Sequence, residues 1–162
     1  MTTARLCLEH PLEQLELDHH DLDPRKWDIL RPPALFRVEG SAVCEYMPAV
    51  ELIQMEGKGR IEKIEGGELV VRFRLTQGVN WMWQLFFEKH RGEVKVVFEQ
   101  KSLVIRCGYG KVKESYECVF KSAIPRATRA YMEEREKLVW EIFSRMDERA
   151  AKVDRSEQRQ RR

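Results

Sequence analysis

The sequence predicts an α+β domain in which a curved antiparallel β-meander packs against one long C-terminal helix. Two patterns predict it. Between residues 34 and 121, apolar and polar residues alternate in successive short segments, and from Ser122 to Lys152 an apolar stripe of helical period follows. Alternation is typical of strands with one buried face, whereas a helical stripe is typical of a helix lying on a sheet. We expect about seven strands and a partly closed barrel.

Turns rich in glycine divide the strand region at intervals typical of a meander. They lie at Glu56-Gly57-Lys58-Gly59, Glu65-Gly66-Gly67-Glu68, Gln77-Gly78, Arg91-Gly92 and Gly108-Tyr109-Gly110. The segments between them alternate from Leu69 to Leu75, Val79 to Phe87, Val94 to Phe98, Leu103 to Cys107 and Val112 to Phe120. In the first of these segments, Arg72 and Arg74 take the face opposite the apolar residues. Each segment is predicted to be a strand.

The predicted strand from Val79 to Phe87 carries apolar residues on both faces. Trp81 and Trp83 would point inward, and Met82 and Phe86 would point outward. An apolar outer face indicates a strand that is central in the sheet or covered by another segment or partner.

The predicted C-terminal helix begins with Ser122 as a plausible N-cap and Pro125 in its first turn. One wide arc at 100° per residue contains Ala127, Tyr131, Leu138, Val139, Ile142, Phe143, Met146 and Ala150. Charged residues, among them Arg135, are expected mostly away from that arc. Trp140 is predicted to lie outside the arc, where it either marks a protein contact or is covered by the N-terminal segment. We predict a single domain over 1–152 and a basic, disordered tail over 153–162.

The first 33 residues carry weaker signals. The segment from Pro11 to Leu17 is interpreted as a helical turn or two, and Asp23-Pro24 as the start of a short helix. The cluster Asp18-His19-His20-Asp21 offers metal-ligand types, but no motif supplies a third ligand. We therefore expect a solvated turn and no metal site.

Composition narrows the functional classes. The net charge is only +2, so nucleic-acid binding would need a local patch. The four scattered cysteines favour reduced thiols in an intracellular, cytoplasmic protein, and we expect neither a secretory signal nor a membrane span. No glycine-rich phosphate loop opening a helix, nucleophile elbow or metalloprotease motif is present. We therefore expect no cofactor and favour binding over catalysis.

The layout of strands followed by a closing helix is similar to the helix-grip arrangement of START-like and polyketide-cyclase-like proteins. The stretch Asp23-Pro24-Arg25-Lys26-Trp27 resembles the short helix that follows their first strand. A pleckstrin-like barrel with its capping helix and a calycin-like barrel are alternatives. The first and third imply a cavity for an apolar small molecule, and the second implies binding of peptides or lipid headgroups.

We predict that the domain binds a small hydrophobic ligand between the curved sheet and the C-terminal helix. The predicted ligand-binding residues are Phe73, Trp81, Trp83, Phe98, Tyr116, Tyr131 and Leu138. The alternative is a non-catalytic interaction or scaffold subunit with a filled core, or a homo-oligomer. Its predicted contact residues are Met82, Phe86, Trp140, Arg155, Arg159, Arg161 and Arg162. Nucleic-acid binding through the basic tail is a less favoured hypothesis.

Overall fold

A computed structural model describes residues 15–17, 35–39 and 42–162 of the chain. The strands are β1 (Leu15–Leu17), β2 (Leu35–Glu39), β3 (Ala42–Glu45), β4 (Met55–Glu65), β5 (Glu68–Leu75), β6 (Lys95–Glu99) and β7 (Ser102–Gly108). The helices are α1 (Trp81–His90), α2 (Val112–Tyr116), a π-helical segment (Glu117–Ala123) and α3 (Ile124–Gln160). The predicted helix start at Asp23-Pro24 and the Asp18–Asp21 cluster lie outside the described residues.

The described chain divides into two compact units. One comprises residues 50–132, and the other comprises the described residues up to Ala49 together with residues 133–162. The division falls inside α3. The predicted single domain over 1–152 and disordered tail over 153–162 stay predictions.

The first unit is built on an open four-stranded antiparallel sheet in the order β4-β5-β7-β6. The predicted α+β class with an antiparallel sheet and a long C-terminal helix is confirmed. The seven-stranded, partly closed barrel is wrong, because this sheet has two edges and two of the predicted strands are helical. Strands β5 and β6 run parallel to each other, since both pair antiparallel with β7, and α1 connects them.

The two faces of this sheet differ in chemistry. One face buries apolar side chains, including Val71, Phe73, Leu103 and Ile105, beneath the helices of the unit. On the other face, the strand register places Arg74 beside Ser102 and Val70 beside Arg106. We call this second surface the open face. The predicted opposition of Arg72 and Arg74 to the apolar residues of β5 is therefore confirmed.

The prediction of a strand from Val79 to Phe87 is wrong, because residues 81–90 form helix α1. Its buried residues are Met82, Trp83, Phe86 and Phe87, a spacing that gives one helical face. Asn80 caps the helix: its Oδ1 accepts from the Trp83 backbone N–H at 2.8 Å. Trp81 and Trp83 have the spacing of one strand face, but the residues that are buried follow the helical period.

The predicted strand from Val112 to Phe120 is also wrong, since α2 and the π-helical segment occupy these residues. Continuous helical backbone thus begins ten residues before the predicted N-cap Ser122. The Ile124 N–H donates to the Val119 carbonyl, a wider turn than in an α-helix. Pro125 follows directly. A proline removes a backbone donor and its ring crowds the carbonyl four residues earlier, so a widened turn accommodates it.

Helix α3 carries the predicted apolar stripe. Ala127, Tyr131, Leu138, Val139, Ile142 and Phe143 are all buried. The helix continues to Gln160, and beyond Phe143 only Met146 is partly buried. Residues 153–160 form the last part of α3, and their side chains are exposed.

The second unit pairs a three-stranded antiparallel sheet, ordered β1-β2-β3, with the C-terminal part of α3. Residues 15–17 form a strand in this sheet, so the helical interpretation of Pro11 to Leu17 is wrong there. Arg135 is buried and its Nε donates to the Met47 carbonyl at 2.7 Å. This bond links the segment after β3 to the helix.

A membrane-crossing segment needs a long and nearly uncharged apolar helix, and no helix over the described residues meets both conditions.

Candidate functional site

The predicted ligand-binding aromatics fall into closely packed ring clusters in the first unit. Trp83 is fully buried, stacks on Phe87 at 5.5 Å between centroids and meets Phe98 edge-on at 5.5 Å. Phe73 lies 5.8 Å from Tyr116. Such spacings are those of aromatic core packing.

The other predicted site residues lie elsewhere. Trp81 is exposed, whereas Tyr131 is buried against Phe86. Leu138 is buried and belongs to the second unit. Among the predicted contact residues, Met82 is buried with Phe86 on α1, whereas Trp140 and the tail arginines are exposed. The outer apolar face predicted for Met82 and Phe86 is thus part of the core, because these residues are helical.

A polar cleft of about 830 Å³ lies at one end of the open face. Its lining residues are Lys58, Arg60, Arg72, Arg74, Glu99, Gln100, Lys101 and Ser102. Five of them are basic and one is acidic, so the cleft concentrates positive charge in a chain that is nearly neutral overall. A concave surface of one charge attracts a ligand of the opposite charge.

An irregularity in edge strand β4 supplies one side of this cleft. Glu56 pairs with Arg74 and Arg60 with Arg72, so residues 57–59 of β4 oppose the single residue Phe73 of β5. The segment predicted as a turn, Glu56 to Gly59, is therefore a bulge within a strand. Bulges redirect side chains, and this one brings Lys58 to the cleft wall.

The bulge depends on a close approach of Gly59 to the Phe73 ring. A Cβ added at Gly59 would clash with Phe73 Cε1, and the ring is fixed between Tyr116 and Phe120. We expect Gly59→Ala to lower the free energy of unfolding by about 1–2 kcal/mol, because the core must repack around the methyl group. Chemical denaturation followed by circular dichroism measures this loss.

Gly78 offers the matched control. Its φ is not in the left-handed region, and a Cβ there would meet only the Gln100 carbonyl oxygen, at 3.7 Å, which is ordinary contact. Gly78→Ala should therefore leave stability within about 0.5 kcal/mol or raise it slightly. Equal losses for the two variants would contradict the proposed role of the Gly59 contact.

Arg72 is the anchored cation of the cleft. Its guanidinium binds Glu62 of β4 through Nε, and its Nη2 lies 2.8 Å from Glu99 Oε2 of β6. The hydrogen bond from Arg72 lowers the pKa of Glu62, and the hydrogen bonds to Glu62 and Glu99 raise the pKa of Arg72. Because the pKa of Glu62 is depressed, its ion pair is present at neutral pH and is lost only as acid protonates the carboxylate.

The remaining cations are held less firmly. Arg60 lies 3.8 Å from Glu62 and Arg74 lies 3.8 Å from Glu56, distances too long for a hydrogen bond. Within the part of the chain that the structure describes, no carboxylate lies within ion-pair distance of Lys58 or Lys101. These four side chains can therefore turn to a ligand without first breaking a strong ion pair.

The hairpin between β6 and β7 closes the cleft opposite the bulge. Gln100 in this turn has a φ of 51°, a conformation uncommon for residues other than glycine and asparagine. A two-residue hairpin turn requires a positive φ at its first residue, so the turn accounts for this conformation. The turn also places Lys101 at the cleft wall.

Sequence reasoning missed the cleft, although one signal was present. The alternation of β5 put Arg72 and Arg74 on a face of their own. Their convergence with Lys58 and Lys101 depends on the bulge and on the strand order, which places β4 and the β6–β7 hairpin beside them. Neither property follows from local periodicity.

Comparisons with known proteins give no relative from which a role could be transferred. No protein-family profile, no curated protein and no solved structure matches this chain.

Proposed function

We propose that the unit formed by residues 50–132 is a non-catalytic binding module for a multiply charged, phosphate-bearing ligand. The observation that carries the proposal is the convergence of five basic side chains on one cleft of the open face. The cleft is large enough for a small ligand, because ligand sites commonly measure about 300–1,000 Å³.

The types of residue in the cleft favour phosphate. Arginine presents a planar fork of donors that matches two oxygens of a phosphate, and lysine contributes a point charge. Arg60 and Arg74 expose 76% and 69% of their side chains, so both can reorient. The charge of Arg72 is offset by Glu62 and Glu99, so Lys58, Arg60, Arg74 and Lys101 supply the attraction for phosphate.

Calorimetric titration with inorganic pyrophosphate tests the proposal. We expect saturable binding that weakens as salt is added, because the attraction is between charges near the surface. Arg74→Glu and Lys101→Glu should each raise the dissociation constant at least about tenfold, since each removes a charge-assisted contact and adds a repelling carboxylate.

Arg106→Glu is the matched control. Arg106 lies on the open face of the same sheet but outside the cleft, where its Nε is 4.0 Å from Glu68. It should change the dissociation constant by no more than about twofold. Absence of binding at millimolar pyrophosphate, or an equal loss in Arg106→Glu, would contradict the proposal.

The hydrophobic-ligand function and the START-like layout that implies it stay predictions. Native mass spectrometry of protein purified from its source would reveal a bound apolar molecule if one is carried. The mutual contacts of Trp83, Phe87 and Phe98 favour a filled core at this place. For this reason we give priority to the cleft.

A further inference from the structure

The outer edge of β4 carries a second unusual surface. We call it the edge segment; its residues are Arg60, Ile61, Glu62, Lys63, Ile64 and Glu65. Strand β4 lies at one edge of the described sheet, and all six residues are exposed. Ile61 and Ile64 are 55% and 63% exposed. Two isoleucines exposed side by side on an edge strand mark a surface suited to pairing with another strand.

The edge segment has an unusual pattern of faces. Arg60 pairs with Arg72 and Glu65 with Glu68, both on the open face. Ile61 pairs with Val71 and Ile64 with Leu69, both on the opposite face. In a regular strand, residues 60 and 65 would point to opposite faces. The register shift between Ile61 and Lys63 adds one residue to β4, so Arg60 and Glu65 lie on the same face. The sequence of open and opposite faces is therefore the same whether the segment is followed from Arg60 or from Glu65.

The charges of the edge segment are self-complementary in the same way. When the segment is laid antiparallel to a second copy about a two-fold axis, Arg60 faces Glu65, Ile61 faces Ile64, and Glu62 faces Lys63. Two-fold symmetry repeats each pair. Shifting the register by two residues sets Arg60 against Lys63 or Glu62 against Glu65, so only the first register avoids like charges.

We propose that β4 pairs with β4 of a second copy of this chain through the edge segment, giving a two-fold dimer with a continuous sheet. Opposite charges and apolar pairs directly across two strands stabilise such pairing, whereas like charges oppose it. A two-fold axis perpendicular to the sheet keeps the open faces of both copies on one side. The dimer would therefore present its two cationic clefts on the same side.

A contact of six residues per copy is small, so the dimer should be weak and depend on concentration. Sedimentation equilibrium of the full chain, from micromolar to near-millimolar concentration, should show a monomer–dimer equilibrium. Arg60→Glu and Glu65→Lys should each raise the dimer dissociation constant at least about tenfold, because each sets like charges opposite each other twice. Lys113→Glu, an exposed charge reversal on α2, should not change the dimer dissociation constant.

An equimolar mixture of the Arg60→Glu and Glu65→Lys proteins is the decisive sample. A heterodimer of these two restores opposite charges at both positions, so the mixture should dimerise as the native chain does. A native chain that is monomeric throughout, a dimer unaffected by either substitution, or a mixture that stays monomeric would overturn the proposal. Glu65 does not line the cleft, so Glu65→Lys leaves pyrophosphate binding intact and separates this proposal from that of the binding module.

Discussion

Replacing Trp83 by alanine should lower the free energy of unfolding by about 3–5 kcal/mol. The side chain is completely buried, stacked on Phe87 with an interplanar angle of 22° and in edge contact with Phe98. Its Nε1 donates to Thr128 Oγ1 at 3.1 Å, which links α1 to α3. Alanine leaves a cavity where the indole was and removes the donor, and a close-packed core relaxes only in part. Urea unfolding followed by circular dichroism measures the loss.

Trp81→Ala is the control for this prediction. Trp81 lies two residues earlier on the same helix but is 56% exposed, so its loss should cost less than about 1 kcal/mol. Trp83→Phe should fall between the two, because it keeps an aromatic ring but loses the bond to Thr128. A small loss of stability in Trp83→Ala, together with the loss of a bound apolar molecule, would instead support the hydrophobic-ligand hypothesis.

The segment around Trp83 shows which secondary structure local sequence patterns can predict and which they cannot. Strands β5, β6 and β7 were predicted correctly, because apolar residues recur at every second position on one face of each strand. From Val79 to Phe87, apolar residues fit both periods. The Asn80 cap favours the helix through a local bond to the Trp83 N–H, whereas the burial of Trp83 with Phe87 depends on Phe98, which is distant in sequence. Tertiary packing therefore decided between two periods that the sequence allowed.

The candidate site was predictable only in fragments. The periodicity assigned Arg72 and Arg74 to one face, and that assignment is confirmed. The contribution of Lys58 requires a bulge, which the sequence presents as two glycines and which is equally consistent with a turn. Strand order is a property of the whole chain, so the approach of Lys101 to Arg74 could not be read from either segment alone.

Arg135 poses the same problem within a helix, and its replacement should have the second large effect. It was expected away from the apolar arc of α3, yet it is only 2% exposed. It lies four residues after Tyr131 and three before Leu138, spacings that place it on the buried stripe. The helical period therefore predicts that position 135 is buried, and only the charge of the side chain argues against burial.

We expect Arg135→Ala to lower the free energy of unfolding by about 3 kcal/mol. It removes a charge-assisted hydrogen bond to the Met47 carbonyl and the packing of the long side-chain stem. Met47 is fully buried and has a φ of 48°, so its carbonyl would lose a donor where water cannot easily replace it. Thermal and urea unfolding would both record the change.

Three further substitutions separate the contributions of Arg135. Arg135→Met keeps the stem and removes the donors, so its loss of stability isolates the hydrogen bonding. Arg135→Lys keeps a charge and one donor but loses the planar fork, and should lie between methionine and the native arginine. Arg145→Ala, an exposed arginine further along α3, should stay within about 0.5 kcal/mol of the native chain. If Arg135→Met were as stable as the native chain, the bond to Met47 would contribute nothing, and Arg135 would act through its apolar stem alone.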